Sequence, residues 1–207
     1  MRHNVRFEAI AALFLLAAPA AAHAQSAQRW SLQVSGISVG AQGEAYEGLS
    51  NGIGMEAQVR LTPSVWSFGA GLQYSAHKLD FGGQLGEETV TLTGLFVEPR
   101  RIFDVGSSTF APYASARLSF LQQAIDVSAN GTSVEATASG TQVNAGGGVL
   151  FRMSPRVNLD LGATYGLINF GDVEVTVPGI GATTVDGSSG SGSNLVVRIG
   201  VAIGLGK

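Results

Sequence analysis

From Arg29 onward, hydrophobic and polar positions alternate with a period of two. Over residues 52–62 the odd positions are Ile53, Met55, Ala57, Val59 and Leu61, with Gly54, Glu56, Gln58 and Arg60 between them. The next segment sets Trp66, Phe68, Ala70, Leu72 and Tyr74 against Ser67, Gly69, Gly71, Gln73 and Ser75. Near the C-terminus Leu195, Val197, Ile199, Val201 and Ile203 alternate with Val196, Arg198, Gly200, Ala202 and Gly204. A helix would repeat its apolar residues at spacings of three and four, so these are strands. Eight such segments are expected, at about 29–40, 51–62, 65–78, 89–100, 109–123, 139–153, 156–169 and 194–206. Two are irregular. Val90, Leu92 and Phe96 share a face while Leu95 and Val97 blur the other, and Ile37 and Val39 break the register set by Trp30, Leu32 and Val34.

The links alternate in length. Residues 63–64, 104–107 and 154–155 make short or moderate turns, whereas 41–50, 79–88, 124–138 and 170–193 are longer and rich in Gly, Ser and acids. In an antiparallel meander this places every long loop at one end. Strand-like patches flank Asn130-Gly131 and Pro178-Gly179, so strands there are expected to project beyond the main sheet. Residues 187–193 (GSSGSGS) read as a mobile loop tip.

Composition decides which face looks outward. Only 13% of the 207 residues are charged, with 29 Gly and no Cys. A water-facing surface carries about 25–35% charged residues; here the polar face is Gly, Ser, Thr, Asn and Gln with isolated charges. Small residues suit the narrow interior of an eight-stranded barrel. The expected fold is therefore all-β: a closed eight-stranded antiparallel up-and-down transmembrane barrel with its apolar face on lipid. A soluble barrel or sandwich is the competing reading. Trp30, Trp66, Phe110 and Phe151 fall near the short-turn end, and Tyr74, Phe120 and Tyr165 nearer the long loops, as membrane-interface aromatics would. From Trp66 to Tyr74 a tilted strand spans about 20 Å, close to the apolar band of about 25 Å in such barrels.

The N-terminus reads as an export signal. Arg2 and Arg6 precede an apolar stretch over residues 9–22, and Ala22-His23-Ala24 forms an A-x-A cleavage pattern. Residues 1–24 are thus expected to be a cleavable signal peptide and 25–207 the barrel domain. The absence of Cys excludes disulfides, a Cys metal site and an N-terminal lipid anchor. With 12 Lys+Arg against 15 Asp+Glu and no basic run, nucleic-acid binding is not expected.

The segment from Phe110 to Phe120, FAPYASARLSF, resembles the fifth-strand motif of small outer-membrane β-barrel proteins, and Val97-Glu98-Pro99 is similar to their Glu-Pro element in strand four. That group includes opacity-like, adhesion-and-invasion-type and outer-membrane-protein-A-like barrels. The resemblance covers residues 25–207 and implies a Gram-negative outer membrane, lipopolysaccharide as a neighbour and insertion by the barrel-assembly machinery. The chain departs from the group by ending Leu205-Gly206-Lys207. Such barrels commonly end in an aromatic residue that the assembly machinery reads.

Chemistry-bearing residues are sparse. His77 is the sole His after residue 24, with Ser75 two positions away on the same face, but no acid can be assigned to orient it. A polar rim residue is the expected role. Asp172, Glu174 and Asp186 are too few oxygens for calcium, which takes six to eight. No catalytic residue, metal or cofactor is expected. The informative polar residues are the inward charges Glu56, Arg60, Glu98, Arg117, Arg152, Asp160 and Arg198. Glu56 and Arg60 lie about 13 Å apart along one strand, so each must find its partner across the barrel. Paired, such charges are tolerable in a dry interior and would plug the lumen as a structural network. The expected function is that of a non-enzymatic, monomeric protein with a structural or a surface-interaction role, the latter through extracellular loops that can meet a ligand. The alternative is a narrow gated channel for small solutes.

Overall fold

The computed structural model describes residues 29–80, 87–129, 132–177, 181–185 and 190–206. The expected signal peptide and the turns at Asn130-Gly131 and Pro178-Gly179 lie outside them.

Alternation of side chains across a pleated backbone produces nine strands among the described residues. They are β1 (Trp30–Gly43), β2 (Gly52–Leu61), β3 (Trp66–Asp80), β4 (Glu87–Ile102), β5 (Phe110–Ala129), β6 (Thr132–Arg152), β7 (Val157–Val177), β8 (Gly181–Val185) and β9 (Ser191–Leu205). Strands β1 to β7 pair in sequence order, each antiparallel to the next. Strand β9 then pairs with β7 on one side and β1 on the other, with Val34 opposite Val201. The sheet is therefore closed, as lipid requires of any sheet that spans it. Strand β8 is not a stave; it pairs along the outer end of β7, Val173 opposite Val185. The barrel has eight staves, and β5, β6 and β7 project beyond the ring at the long-loop end.

The outward face carries Leu32, Val34, Met55, Val59, Phe68, Leu72, Leu95, Val97, Val143, Ile199 and Val201, all exposed. This is the inverse of a soluble core, and it fits a lipid solvent. The interior is layered. Its middle is polar, but the long-loop end is apolar: Tyr46, Val90, Leu92, Leu121, Ile168 and Phe170 form one buried cluster. Val90, Leu92 and Phe96 thus point inward, and Leu95 and Val97 outward, which resolves the irregularity of the fourth segment. Likewise Ile37 and Val39 keep strict alternation; they turn inward against Val196.

The first long loop closes this apolar mouth. Gly43, at φ +96°, turns the chain where a Cβ would lie 2.9 Å from the Gly192 Cα. A single 3-10 turn, Glu44–Tyr46, follows and buries Tyr46. Against the expectation of a mobile tip, Ser191–Ser193 belong to β9: Ser193 pairs with Gln42 and Leu167, and Ser191 with Asn169. Gly192 and Ser193 are paired by strands on both sides, and Ser191 by β7. Residues 187–189 lie outside the described residues.

Candidate functional site

Inward positions of four strands converge on one carboxylate. Glu98, on β4, is fully buried. Arg117 from β5 donates Nε to its Oε2 at 2.7 Å, and Arg198 from β9 donates Nη1 to the same oxygen at 2.8 Å. Arg60 from β2 reaches Oε1 at 3.4 Å, and Arg100 donates Nε to Oε1 from two residues along β4. The two remaining buried acids extend the lattice. Glu56 accepts from Arg117 Nη1 at 2.7 Å and lies 3.6 Å from Arg198 Nη1. Asp160, on β7, accepts from Arg100 Nη1 at 2.7 Å, Gln33 Nε2 at 2.7 Å and the Tyr113 hydroxyl at 2.6 Å.

Aromatic rings wedge the guanidiniums. The Arg117 guanidinium lies 3.8 Å from the Phe96 ring centroid, and that of Arg100 4.3 Å from Tyr113. Such stacking favours a desolvated cation. Glycines make room: a Cβ on Gly162 would fall 2.5 Å from the Tyr113 hydroxyl, and one on Gly148 2.6 Å away. Arg100 Nη2 and Arg198 Nε and Nη2 have no hydrogen-bond partner.

Six of the seven inward charges expected from the sequence meet here: Glu56, Arg60, Glu98, Arg117, Asp160 and Arg198. Arg152 faces inward too, but at the short-turn mouth, because it is the last residue of β6; its Nη1 donates to the carbonyls of Ser107 and Ser108. The sequence reading missed Arg100, Tyr113, Gln33 and Gln58, whose Oε1 accepts from Arg60 at 2.7 Å. Parity held the signal, since Arg100 shares the inward face of Glu98.

His77 is buried rather than a rim residue, because the first loop folds over it; its ring centroid lies 6.1 Å from that of Tyr46. Its Nε2 is 3.2 Å from Ser75 Oγ, and its Nδ1 is 3.0 Å from the carbonyl oxygen of Ser50. A backbone carbonyl, not a carboxylate, therefore orients the ring. Above it, Asn194 donates Nδ2 to the Tyr46 hydroxyl at 3.0 Å, and its Oδ1 accepts from Gln142 Nε2 and Asn144 Nδ2. Asp172 and Glu174 are exposed on the projecting part of β7, and Asp186 lies outside the described residues. Among the described residues, no three His, Asp or Glu side chains group as metal ligands.

The seven aromatics expected at the membrane interface face outward. Trp30, Trp66 and Phe110 stand at the short-turn end with Phe151, half-buried, directly opposite Phe110; Tyr74, Phe120 and Tyr165 stand nearer the long loops.

Known proteins share this architecture. Neisserial surface protein A is similar at 20% identity, over 85% of this chain and 97% of that one, with a TM-score of 0.55. OprG from Pseudomonas aeruginosa matches at 10% identity over 88% and 99%, TM-score 0.54. A major outer membrane protein from Thermus thermophilus matches at 13% over 84% and 98%, TM-score 0.52. At these identities the likeness is one of fold. No curated protein sequence matches the chain. The family profile described as outer membrane protein beta-barrel domain matches residues 9–205. The chain belongs to that family, and it is a closed eight-stranded barrel of the bacterial outer membrane.

Proposed function

We propose that this protein is a non-enzymatic outer-membrane barrel whose interior is blocked to solutes and whose long loops make its contacts. The observation that carries the reading is the Glu98 hub, which joins side chains of β2, β4, β5 and β9 across the lumen. Asp160 ties β7 into the same lattice. An eight-stranded barrel is only wide enough for side chains to fill. Tyr46 adds a second obstruction at the other end. A Ser75–His77 pair without an acid, sealed beneath Tyr46, offers no route for a substrate, which supports the non-enzymatic reading.

The loops suggest the kind of contact. Residues 41–50, 79–88, 124–138 and 170–193 contain ten Asp and Glu and no Lys or Arg. Such a surface favours basic partners, or lipopolysaccharide phosphates bridged by divalent cations, over direct contact with bare phosphate. On this reading residues 1–24 are removed on export, the assembly machinery inserts the barrel, and the monomer is the working unit.

Single-channel recording of the purified protein in planar bilayers tests the blocked lumen. Silence is expected over hours at low and high salt. Reproducible unitary conductance would replace this reading with a narrow solute channel.

A further inference from the structure

Below the Glu98 hub, at the short-turn end that faces the periplasm in such barrels, lies a cavity of about 30 Å³. Arg60, Arg100 and Arg152 line it together with Ser31, Thr62 and Asn158, and among the described residues no Asp or Glu does. We propose that this recess binds one small inorganic anion of chloride size, which supplies counter-charge to the barrel's buried arginines.

Three observations converge on it. The first is charge. The buried lattice holds Arg60, Arg100, Arg117 and Arg198 against Glu56, Glu98 and Asp160, which leaves one positive charge without a carboxylate. An uncompensated charge in a desolvated interior is costly, and structures relieve it by pairing.

The second is a donor without an acceptor. Arg100 is 1% exposed and commits Nε to Glu98 and Nη1 to Asp160, yet its Nη2 has no partner. A buried guanidinium N–H left unmade costs the full desolvation of the group. An anion in the recess would accept from it.

The third is size and lining. A water requires roughly 10–15 Å³ of such space, so the recess of about 30 Å³ has room for one chloride-sized ion. The Ser31 hydroxyl can donate to an anion. The Asn158 side chain, whose Oδ1 is unpartnered, can present its NH2 after a half-turn. Gln33 also borders the recess with an unpartnered Oε1, which makes water the competing occupant.

Anion identity at constant ionic strength separates the two occupants. The protein is refolded into phosphatidylcholine vesicles and unfolded with urea in mixtures of sodium chloride and sodium gluconate. Gluconate is too large for the recess. The folded-to-unfolded ratio is expected to rise about tenfold per tenfold chloride above its dissociation constant, as one-site linkage requires. A Ser31→Asp variant places a tethered carboxylate directly across from Arg60, and its stability is expected to lose the chloride dependence. Crystals of the unaltered protein soaked in sodium bromide should show anomalous density beside Arg100. Equal stability in both salts together with no bromide peak would mean that the recess holds water only. A chloride dependence undiminished in a folded Ser31→Asp protein would place the ion elsewhere; either result overturns the proposal.

Discussion

Arg117 Nη1 lies 2.7 Å from Glu56 Oε2, although 61 positions separate the two residues and two strands stand between β2 and β5. Removing Glu56 leaves Arg117 and Arg198 to share Glu98 as their one remaining carboxylate, and the buried positive charge so uncovered costs about 3–5 kcal/mol in a dry site. Gln58 on the same face is neutral, so its loss uncovers no charge. Urea titration in vesicles should find Glu56→Ala more destabilising than Gln58→Ala. Combining Glu56→Ala with Arg117→Ala should cost less than the sum of the single changes. Equal, mild effects at positions 56 and 58 would point to a hydrated lumen.

The seam between β1 and β9 can be locked. Val34 and Val201 are directly opposed, and opposed residues in an antiparallel pair have Cα atoms about 4.5–5.5 Å apart, within disulfide reach. A Val34→Cys, Val201→Cys protein should form the bond on oxidation and migrate anomalously on a gel after boiling. Leu159 pairs with Val201 from the far side, two strands or about 10 Å from Val34, so Val34→Cys with Leu159→Cys should remain reduced.

Two glycines should respond oppositely to a methyl group. At Gly162 the new Cβ would sit 2.5 Å from the Tyr113 hydroxyl and push it off Asp160. Overpacking of this kind costs about 1–3 kcal/mol. At Gly36 nothing lies within 4 Å, and Gly36→Ala should be neutral or slightly stabilising. Urea midpoints of the two variants provide the comparison.

Tyr46 should report on the mouth. Burial pushes its phenol above the ordinary range, against the opposing hydrogen bond from Asn194. In the unfolded chain it ionises near pH 10, while in the folded barrel it still holds its proton. The folded state then binds more protons, so stability should fall as pH rises through about 10. Tyr46→Phe should remove that part of the alkaline loss, measured as the difference in urea midpoints between pH 9 and pH 11. The same change should cost only about 1 kcal/mol at neutral pH, for one lost hydrogen bond. A Tyr46→Ala protein should show faster amide exchange over residues 44–49 with the β1–β9 seam still protected.

The strand pattern, the outward apolar face and the meander were legible in the sequence because each is local. A pleated strand alternates its side chains whatever its neighbours are, and link lengths count residues between adjacent strands. Parity alone placed Glu56, Arg60, Glu98, Arg117, Asp160 and Arg198 inside the barrel. Closure followed from the same pattern, since an apolar outer face implies lipid, and lipid tolerates no open edge.

What meets what was decided only by the closed barrel. The stagger of eight strands sets the heights at which inward residues face one another across the ring, and no local spacing encodes it. That stagger made Glu98 the hub and joined Asp160 to Tyr113 and Arg100. It left Arg152 at the mouth, one strand end away from the lattice. Arg100 stands at the last position of the fourth expected segment, about 89–100, whereas β4 continues to Ile102 and carries it into the lattice. The apolar mouth and the burial of His77 have a different cause. They depend on Gly43 turning the first loop inward so that Tyr46 excludes water from residues that alternation alone would assign to a polar lumen.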